Sequence, residues 1–335
     1  MPRASRHTLA LTVPLTPPLD LAASLRPFGR WGDDGIDRWD GHTLVRSIAV
    51  GGERAVPFAA RPAGDMSKPS LEMSLPRSEA GHADAAIQSV RGTFVTVPPE
   101  IVALAAVDER VGQLVALYPG IVPVLVPDPF TALIRSISAQ QVNLRWASTI
   151  RRRLAERYGV RHEVGGEYTY SLHPRSLATA SVEELRAIQL TTAKARSVIA
   201  CAEAAVAGEL GGRDLAVMND EELISHLTRI RGIGRWSAEW FLARTLGRPR
   251  VVAGDLGVRK AVGRLYETAG LPQEEEVRRR TGHWGESATV VQTLALYDLA
   301  ASEAGLARRR AGASRRARSR GRRPPAKAGT GAGNA

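Results

Sequence analysis

The rhythm of apolar and polar positions changes near residue 98. Before it, short strand-length runs dominate. Residues 8–13 predict a strand that Pro14, Pro17 and Pro18 end, and 19–25 predict a short helix. Phe28, Trp31 and Trp39 lie in a stretch rich in glycine and aspartate. Leu44, Ser47, Ile48 and Val50 predict a strand over 42–50, followed by a Gly51-Gly52 turn and a neighbouring strand over 54–61. Leu71, Met73 and Leu75 alternate with Glu72 and Ser74, the period of a half-buried strand. Residues 82–90 fit neither period. The reading for 1–97 is a small antiparallel sheet with one or two helices.

From Pro98 the pattern turns helical and stays so to 306. Residues 101–106 and 110–118 predict short helices, and prolines 123, 127 and 129 punctuate the approach to Phe130. Residues 130–158 predict a long helical region with a break near Ala139-Gln140-Gln141. Arg145, Arg151, Arg152 and Arg153 read as its wet face. Residues 160–170 read as a polar loop. Ser181 with Glu184, and Asn219 with Glu222, have the spacing of capping boxes. Residues 288–299 predict a final core helix. From 307 to 335, arginine, alanine, glycine and proline without a core pattern predict a disordered basic tail. The fold class is α+β: a small sheet domain over 1–97 followed by an all-helical domain over 98–306.

One stretch organises the second part. Leu227-Thr-Arg-Ile-Arg-Gly-Ile-Gly-Arg-Trp-Ser-Ala-Glu-Trp-Phe-Leu242 can finish one helix, turn at Gly232-Ile233-Gly234 and start another near Arg235. Glycine suits positive φ or a close backbone approach. A turn into a helix N-terminus offers unpaired N–H groups and a favourable dipole to a phosphate oxygen. An ordinary helix corner is the alternative. Beyond a break at Arg248, Pro249 and Arg250, Asp255 precedes the apolar run Leu256, Val258, Ala261, Val262 and Leu265, the usual place of an N-cap.

Charge adds to this. The formal net charge is +12, yet ten Lys/Arg and no acid follow from Arg308, leaving +2 for the rest. The body is mildly basic and the tail strongly so, which is compatible with a nucleic-acid partner. Cys201 is the single cysteine, so four-cysteine iron–sulfur ligation is excluded. Its helical surroundings read as core. No window approaches 18 apolar residues, so no membrane span is expected. The basic start is followed by a proline-broken stretch rather than a leader core, so a cytoplasmic protein is the expectation, nucleoid-associated where its partner is DNA; nothing in the sequence indicates oligomer symmetry, and a monomer is the simpler reading. No His/Cys cluster points to zinc.

The hairpin Ile230-Arg-Gly-Ile-Gly-Arg-Trp236, the short link and the Gly254-Asp255 step together resemble the helix-hairpin-helix/Gly-Pro-Asp superfamily of DNA glycosylases. Within it the chain looks most like the DNA-3-methyladenine glycosylase II family, over roughly residues 20–300. The resemblance implies a TATA-binding-protein-like N-terminal sheet and a substrate of double-stranded DNA carrying a damaged base. It implies that Asp255 is the catalytic carboxylate. Trp236 and Trp240, four apart on one helix face, match aromatic walls of a base pocket. The late-helix aromatic has no clear match, with Trp284 or Tyr297 as substitutes. An indole face attracts a cationic alkylated base by about 0.5–2 kcal/mol.

Gly232, Ile233 and Gly234 frame the phosphate grip, with Arg235, Arg259 and Lys260 as backbone-contact candidates. Carbonyls of Thr228, Ile230 and Ile233 are candidates for a monovalent Na or K ion, and no other cofactor is expected. Gln140 matches the family's junction glutamine and Gln141 the wedge position, where a relative carries an apolar residue. Ordinary surface polarity is the alternative for both. Bifunctional relatives carry a lysine where Trp236 stands, so a monofunctional enzyme without lyase activity is expected; Lys194 is a further, weak amine candidate. Uracil or hypoxanthine specificity, or a non-catalytic DNA-binding module, remain the alternatives.

Overall fold

The structure is a computed structural model that describes residues 7–50 and 54–320, the last fifteen of these by backbone alone. Strands β1 (Thr8–Pro14), β2 (Arg38–Trp39), β3 (Leu44–Ala49), β4 (Ala55–Ala63) and β5 (Ser70–Pro76) form an antiparallel sheet of order β1-β5-β4-β3-β2. Its register pairs Leu11 with Met73, Val13 with Leu71, and Ile48 with Val56. The alternation read in β5 is obeyed: Leu71, Met73 and Leu75 are buried. They pack with Val56, Phe58 and Ala60 under Leu21 and Leu25 of the helix Leu21–Arg30 and under Ala86 and Val90 of the helix Ala83–Arg91. The second helix settles the stretch whose period was ambiguous.

The following region is mostly helical, not all-helical. Residues 160–170, read as a loop, belong to a β-hairpin, β6 (Gly159–Val164) and β7 (Glu167–Leu172), joined by Gly165 and Gly166, both at positive φ. A two-residue Gly-Gly loop between alternating residues is itself a hairpin signal. The hairpin covers the other face of the sheet, where Val164 packs on Val45 and Ala59. Thr169 Oγ1 donates to Ile36 O at 2.8 Å and Tyr170 N–H to Gly35 O at 2.8 Å.

The helices form two lobes. The first runs from Phe130 to Leu242 and centres on Leu133, Ile137, Leu154, Leu223 and Leu227. Cys201 lies in this core, and burial raises its thiol pKa well above the ordinary value, with Asp128 adding to the effect. The second lobe unites chain-distant segments: Ile101, Leu104, Val111 and Leu114 pack against Val258, Val262, Val291 and Leu294. The predicted break is present, between the helices Pro129–Ala139 and Leu144–Tyr158. The final helix spans Ala288–Arg320 and so continues past residue 307, where the sequence reading begins a disordered tail. Alanine and arginine, which fill that stretch, are strong helix formers. The rest of that tail, 321–335, lies outside the described residues, as does the Gly51-Gly52 turn.

A buried ion cluster joins the sheet domain to the first lobe. Arg135 Nη2 lies 2.8 Å from Asp34 Oδ2 and 2.6 Å from Asp37 Oδ2. Arg151 Nε meets Asp34 Oδ2 at 2.8 Å, and Arg46 pairs with Asp37. Burial opposes ionisation of Asp34, but Arg135 and Arg151 overcome it and hold its pKa below the usual carboxylate value.

Candidate active site

The hairpin motif is built from the helices Asp220–Thr228 and Arg235–Arg244. A reciprocal capping box opens the first: Glu222 N–H donates to Asn219 Oδ1 at 3.0 Å, and Asn219 N–H donates to Glu222 Oε2 at 2.9 Å. In the turn, Ile230 N–H donates to Leu227 O at 3.1 Å and Ile233 N–H to Ile230 O at 3.0 Å. Ile233 plugs into the core. Gly232 has φ +83°, and a Cβ there would stand 1.9 Å from Ser197 Oγ. Gly234 differs. It is the N-cap of the second helix, has extended backbone and no capping side chain, and a Cβ would meet nothing within 4 Å. The first-turn N–H groups are therefore left for a ligand at the positive end of the helix dipole.

Asp255 caps the helix Leu256–Leu265: Val258 N–H donates to its Oδ1 at 2.9 Å. Trp236 and Trp240 both donate indole N–H to its Oδ2, at 2.9 and 3.3 Å. The structure therefore brings Trp236, Trp240 and Asp255 together, and adds a relation that the spacing did not show. The two indoles are half-buried donors to the carboxylate as well as aromatic surfaces beside it. The Arg244 guanidinium lies 5.6 Å from the centre of the Trp240 ring. Desolvation lowers its pKa to about 10.

The support for this arrangement comes from residues that sequence reasoning missed. Gln292 Oε1 accepts Val252 N–H at 2.7 Å, and Thr289 Oγ1 accepts Arg250 N–H at 2.9 Å, so the final helix holds the strand-like approach to Asp255. Glu239, 1% exposed, collects Arg235 Nε at 3.2 Å, Arg250 Nη2 at 3.0 Å and Arg278 Nη2 at 2.8 Å. This buried carboxylate locks the hairpin's second helix to the segments flanking Asp255. A charged residue inside the Trp236–Trp240 turn was the available signal.

The remaining candidates separate. Arg235 is engaged by Glu239 and by Glu221, the latter at 3.1 Å, and Arg259 donates to Pro272 O at 2.7 Å and Gln273 Oε1 at 3.1 Å. Lys260 is exposed beyond Asp255. Gln140 Nε2 reaches back to Gly232 O at 2.9 Å and Ser237 Oγ at 3.3 Å, which ties the break between helices to the hairpin turn. Gln141 is exposed, in left-handed backbone at φ +54°. Trp284 is not a pocket residue: it is 1% exposed and donates to Tyr266 OH at 2.9 Å within the second lobe. Tyr297 accepts Arg26 Nη1 at 3.1 Å and stacks edge-on with Tyr118. Thr228 ends the first helix of the motif and Ile230 and Ile233 lie in the turn, where the Ile230 carbonyl already accepts Ile233 N–H. Among the described residues, no group of His, Cys, Asp and Glu could hold a metal ion. No helix among them is long and apolar enough to cross a membrane.

Comparison with known proteins places this geometry. Residues 134–286 match the HhH-GPD superfamily of base excision DNA repair proteins. DNA-3-methyladenine glycosylase 2 of Escherichia coli is 30% identical over 202 residues, which span 60% of this chain and 68% of that protein. DNA-3-methyladenine glycosylase of Bacillus subtilis is 29% identical over 163 residues, 48% of this chain; the match spans about half of that relative's length, 54%. The solved 3-methyladenine DNA-glycosylase of Archaeoglobus fulgidus superposes with a TM-score of 0.73 at 26% identity, over 86% of this chain and 98% of that one. Hairpin, spaced aspartate and match agree: the chain belongs to the HhH-GPD superfamily, in its DNA-3-methyladenine glycosylase II-like family.

Proposed function

We propose that this protein is a monofunctional DNA glycosylase that releases alkylated purines, 3-methyladenine among them, from double-stranded DNA by base flipping and leaves an abasic site. The carrying observation is the Asp255 carboxylate, fixed by two indole N–H groups and one backbone N–H beside a hairpin whose first-turn donors suit a phosphate. A purine nucleotide alkylated at ring N3 or N7 is cationic. When its N-glycosidic bond to C1′ breaks, the bonding pair leaves with the base, which becomes neutral and needs no strong acid. The sugar is left as an oxocarbenium ion. Asp255 stabilises that charge; a water then adds to C1′ and releases a proton. Flipping exposes the nucleotide to this carboxylate, and Gln141 fills the gap. Trp236 stands where the resemblance puts the lysine of bifunctional relatives, which supports the reading without lyase activity.

The N-terminal sheet with helices on one face supports a TATA-binding-protein-like reading. The carbonyls of Thr228, Ile230 and Ile233 are the proposed holders of a monovalent cation, and a cytoplasmic monomer acting on one nucleotide completes the proposal. One observation favours a broader substrate set that includes the neutral base hypoxanthine. The Arg244 guanidinium already lies over Trp240, and a ring that faces one cation gains less from a second.

The test is base release from methylated and from deaminated duplex DNA, comparing wild type with Asp255→Asn. Free 3-methyladenine is expected, with strand breakage only after alkali or heat. Asp255→Asn should lose at least about a hundredfold in rate, the scale of lost electrostatic stabilisation, while keeping DNA affinity. Wild-type protein that binds DNA and releases no alkylated base would sink the proposal.

A further inference from the structure

The helix Pro129–Ala139 ends two residues before Gln141, and its last carbonyls have no partner within the helix. Two cations close this end. Lys194 Nζ donates to Ser138 O at 2.9 Å. Arg151 Nη1 donates to Ser138 Oγ at 3.1 Å, and that hydroxyl donates to Arg135 O at 2.8 Å. Gln140 is bound to the hairpin turn. Of the two glutamines, Gln141 is the one left projecting, exposed at φ +54°. For a non-glycine residue this left-handed conformation is strained and persists only where its flanks are held.

Lys194 is the member of this clamp with no other explained task. It is half-buried, and among the described residues the Ser138 carbonyl is its hydrogen-bond partner and no carboxylate pairs with it. Burial lowers its pKa from the ordinary lysine value. A desolvated ammonium is retained where the negative end of a helix dipole receives it.

We propose that Lys194 is a positioning residue for base extrusion: by holding the Ser138 carbonyl it fixes the last helical turn from which Gln141 is aimed into the duplex. This rests on the glycosylase reading and on Gln141 as the wedge. Without Lys194 the final turn frays and Gln141 relaxes to negative φ. Extrusion from a stacked duplex then slows, while bond cleavage at Asp255 does not. A mismatched or unpaired base needs less help to leave the stack, so the defect depends on the substrate.

The experiment is single-turnover release of 3-methyladenine from a fully paired duplex and from the same lesion in a mismatched bubble. Wild type is compared with Lys194→Met, Lys194→Arg and Gln141→Ala. Lys194→Met and Gln141→Ala are each expected to lose about tenfold or more on the paired duplex, equivalent to about 1.4 kcal/mol. Both should stay within about twofold of wild type on the bubble, and Lys194→Arg should recover most of the paired rate. A selective loss in Gln141→Ala but not in Lys194→Met overturns the role of Lys194 and leaves the wedge standing. No loss in either overturns the wedge as well. Equal losses of Lys194→Met on both substrates, or a borohydride-trapped covalent adduct that vanishes in Lys194→Met, overturn positioning in favour of a general structural or nucleophilic role. No release by wild type from either substrate is the separate failure of the glycosylase reading.

Discussion

Asp255 is defined by how few of its acceptor positions are free. An ionised carboxylate offers about four lone-pair positions. Two indoles share Oδ2 and a backbone amide takes one position on Oδ1, so a water is left only the remaining side of Oδ1. That favours a fixed negative charge over a mobile base. Replacing either tryptophan with phenylalanine keeps an aromatic surface and deletes the donor. A hydrogen bond to a charged group contributes about 1.5–3 kcal/mol. Trp236→Phe is therefore expected to lower kcat by about tenfold or more. Trp240→Phe, at the longer contact, should lose less, and the double variant more than either. Kinetics on methylated duplex DNA check this; unchanged kcat in both would return the rings to stacking alone. Asp255, Trp236 and Trp240 were legible because an N-cap and an i, i+4 pair are local patterns. The aim of the indole N–H groups was not, because it depends on a contact between residues 15 and 19 apart. Gln292 was illegible for the same reason, and so was the reach of Glu239 to Arg250 and Arg278, although its charge inside the Trp236–Trp240 turn was in view.

At the scale of the element, the two glycines of the turn serve different ends. Gly232 is required by the protein itself, since its φ is positive and Ser197 fills the space of a side chain. Gly234 has room for a Cβ and ordinary backbone, so the protein gives no steric reason for glycine there. Gly232→Ala is expected to lower stability by about 1–3 kcal/mol through strain alone, with displacement of the helix carrying Ser197 adding to it. Gly234→Ala should unfold at nearly the wild-type denaturant midpoint yet bind DNA several-fold more weakly, as measured by fluorescence anisotropy. Equal stability losses in the two variants would contradict this division. The hairpin β6–β7 shows where sequence reading went astray: polar residues around Gly165-Gly166 were weighed as loop, although the period of two and the glycine pair were present. The break at Gln140 and Gln141 was legible. Which glutamine is tethered and which is presented required the fold.

At the scale of the whole molecule, the domains are joined by charge rather than by apolar surface alone. Asp34 is almost fully buried between Arg135 and Arg151, so removing its charge leaves buried guanidinium groups uncompensated. Asp34→Asn is expected to destabilise by about 3 kcal/mol, measured by urea unfolding at neutral pH. The pH dependence has a definite sign. The folded pKa of Asp34 lies below its unfolded value of about 3.9, so its contribution is complete above that value and is lost as pH falls through the folded one. Wild type should lose stability in that acid window more steeply than Asp34→Asn; parallel profiles would count against the cluster as the seam. The change of pattern near residue 98 made the two-part organisation visible. The second lobe was not, because it assembles helices near residue 110 with helices beyond 255, and no local period records that pairing.

The buried thiol has a meaning in the setting that alkylation repair implies. Electrophiles that methylate purines also attack thiolates, and the thiolate is the reactive form of cysteine. The one sulfhydryl of this chain is enclosed in the first lobe and kept protonated by its surroundings. On the proposed function, the single cysteine of this chain is out of reach of the electrophiles that create the damage, and they find no exposed thiolate on it to poison.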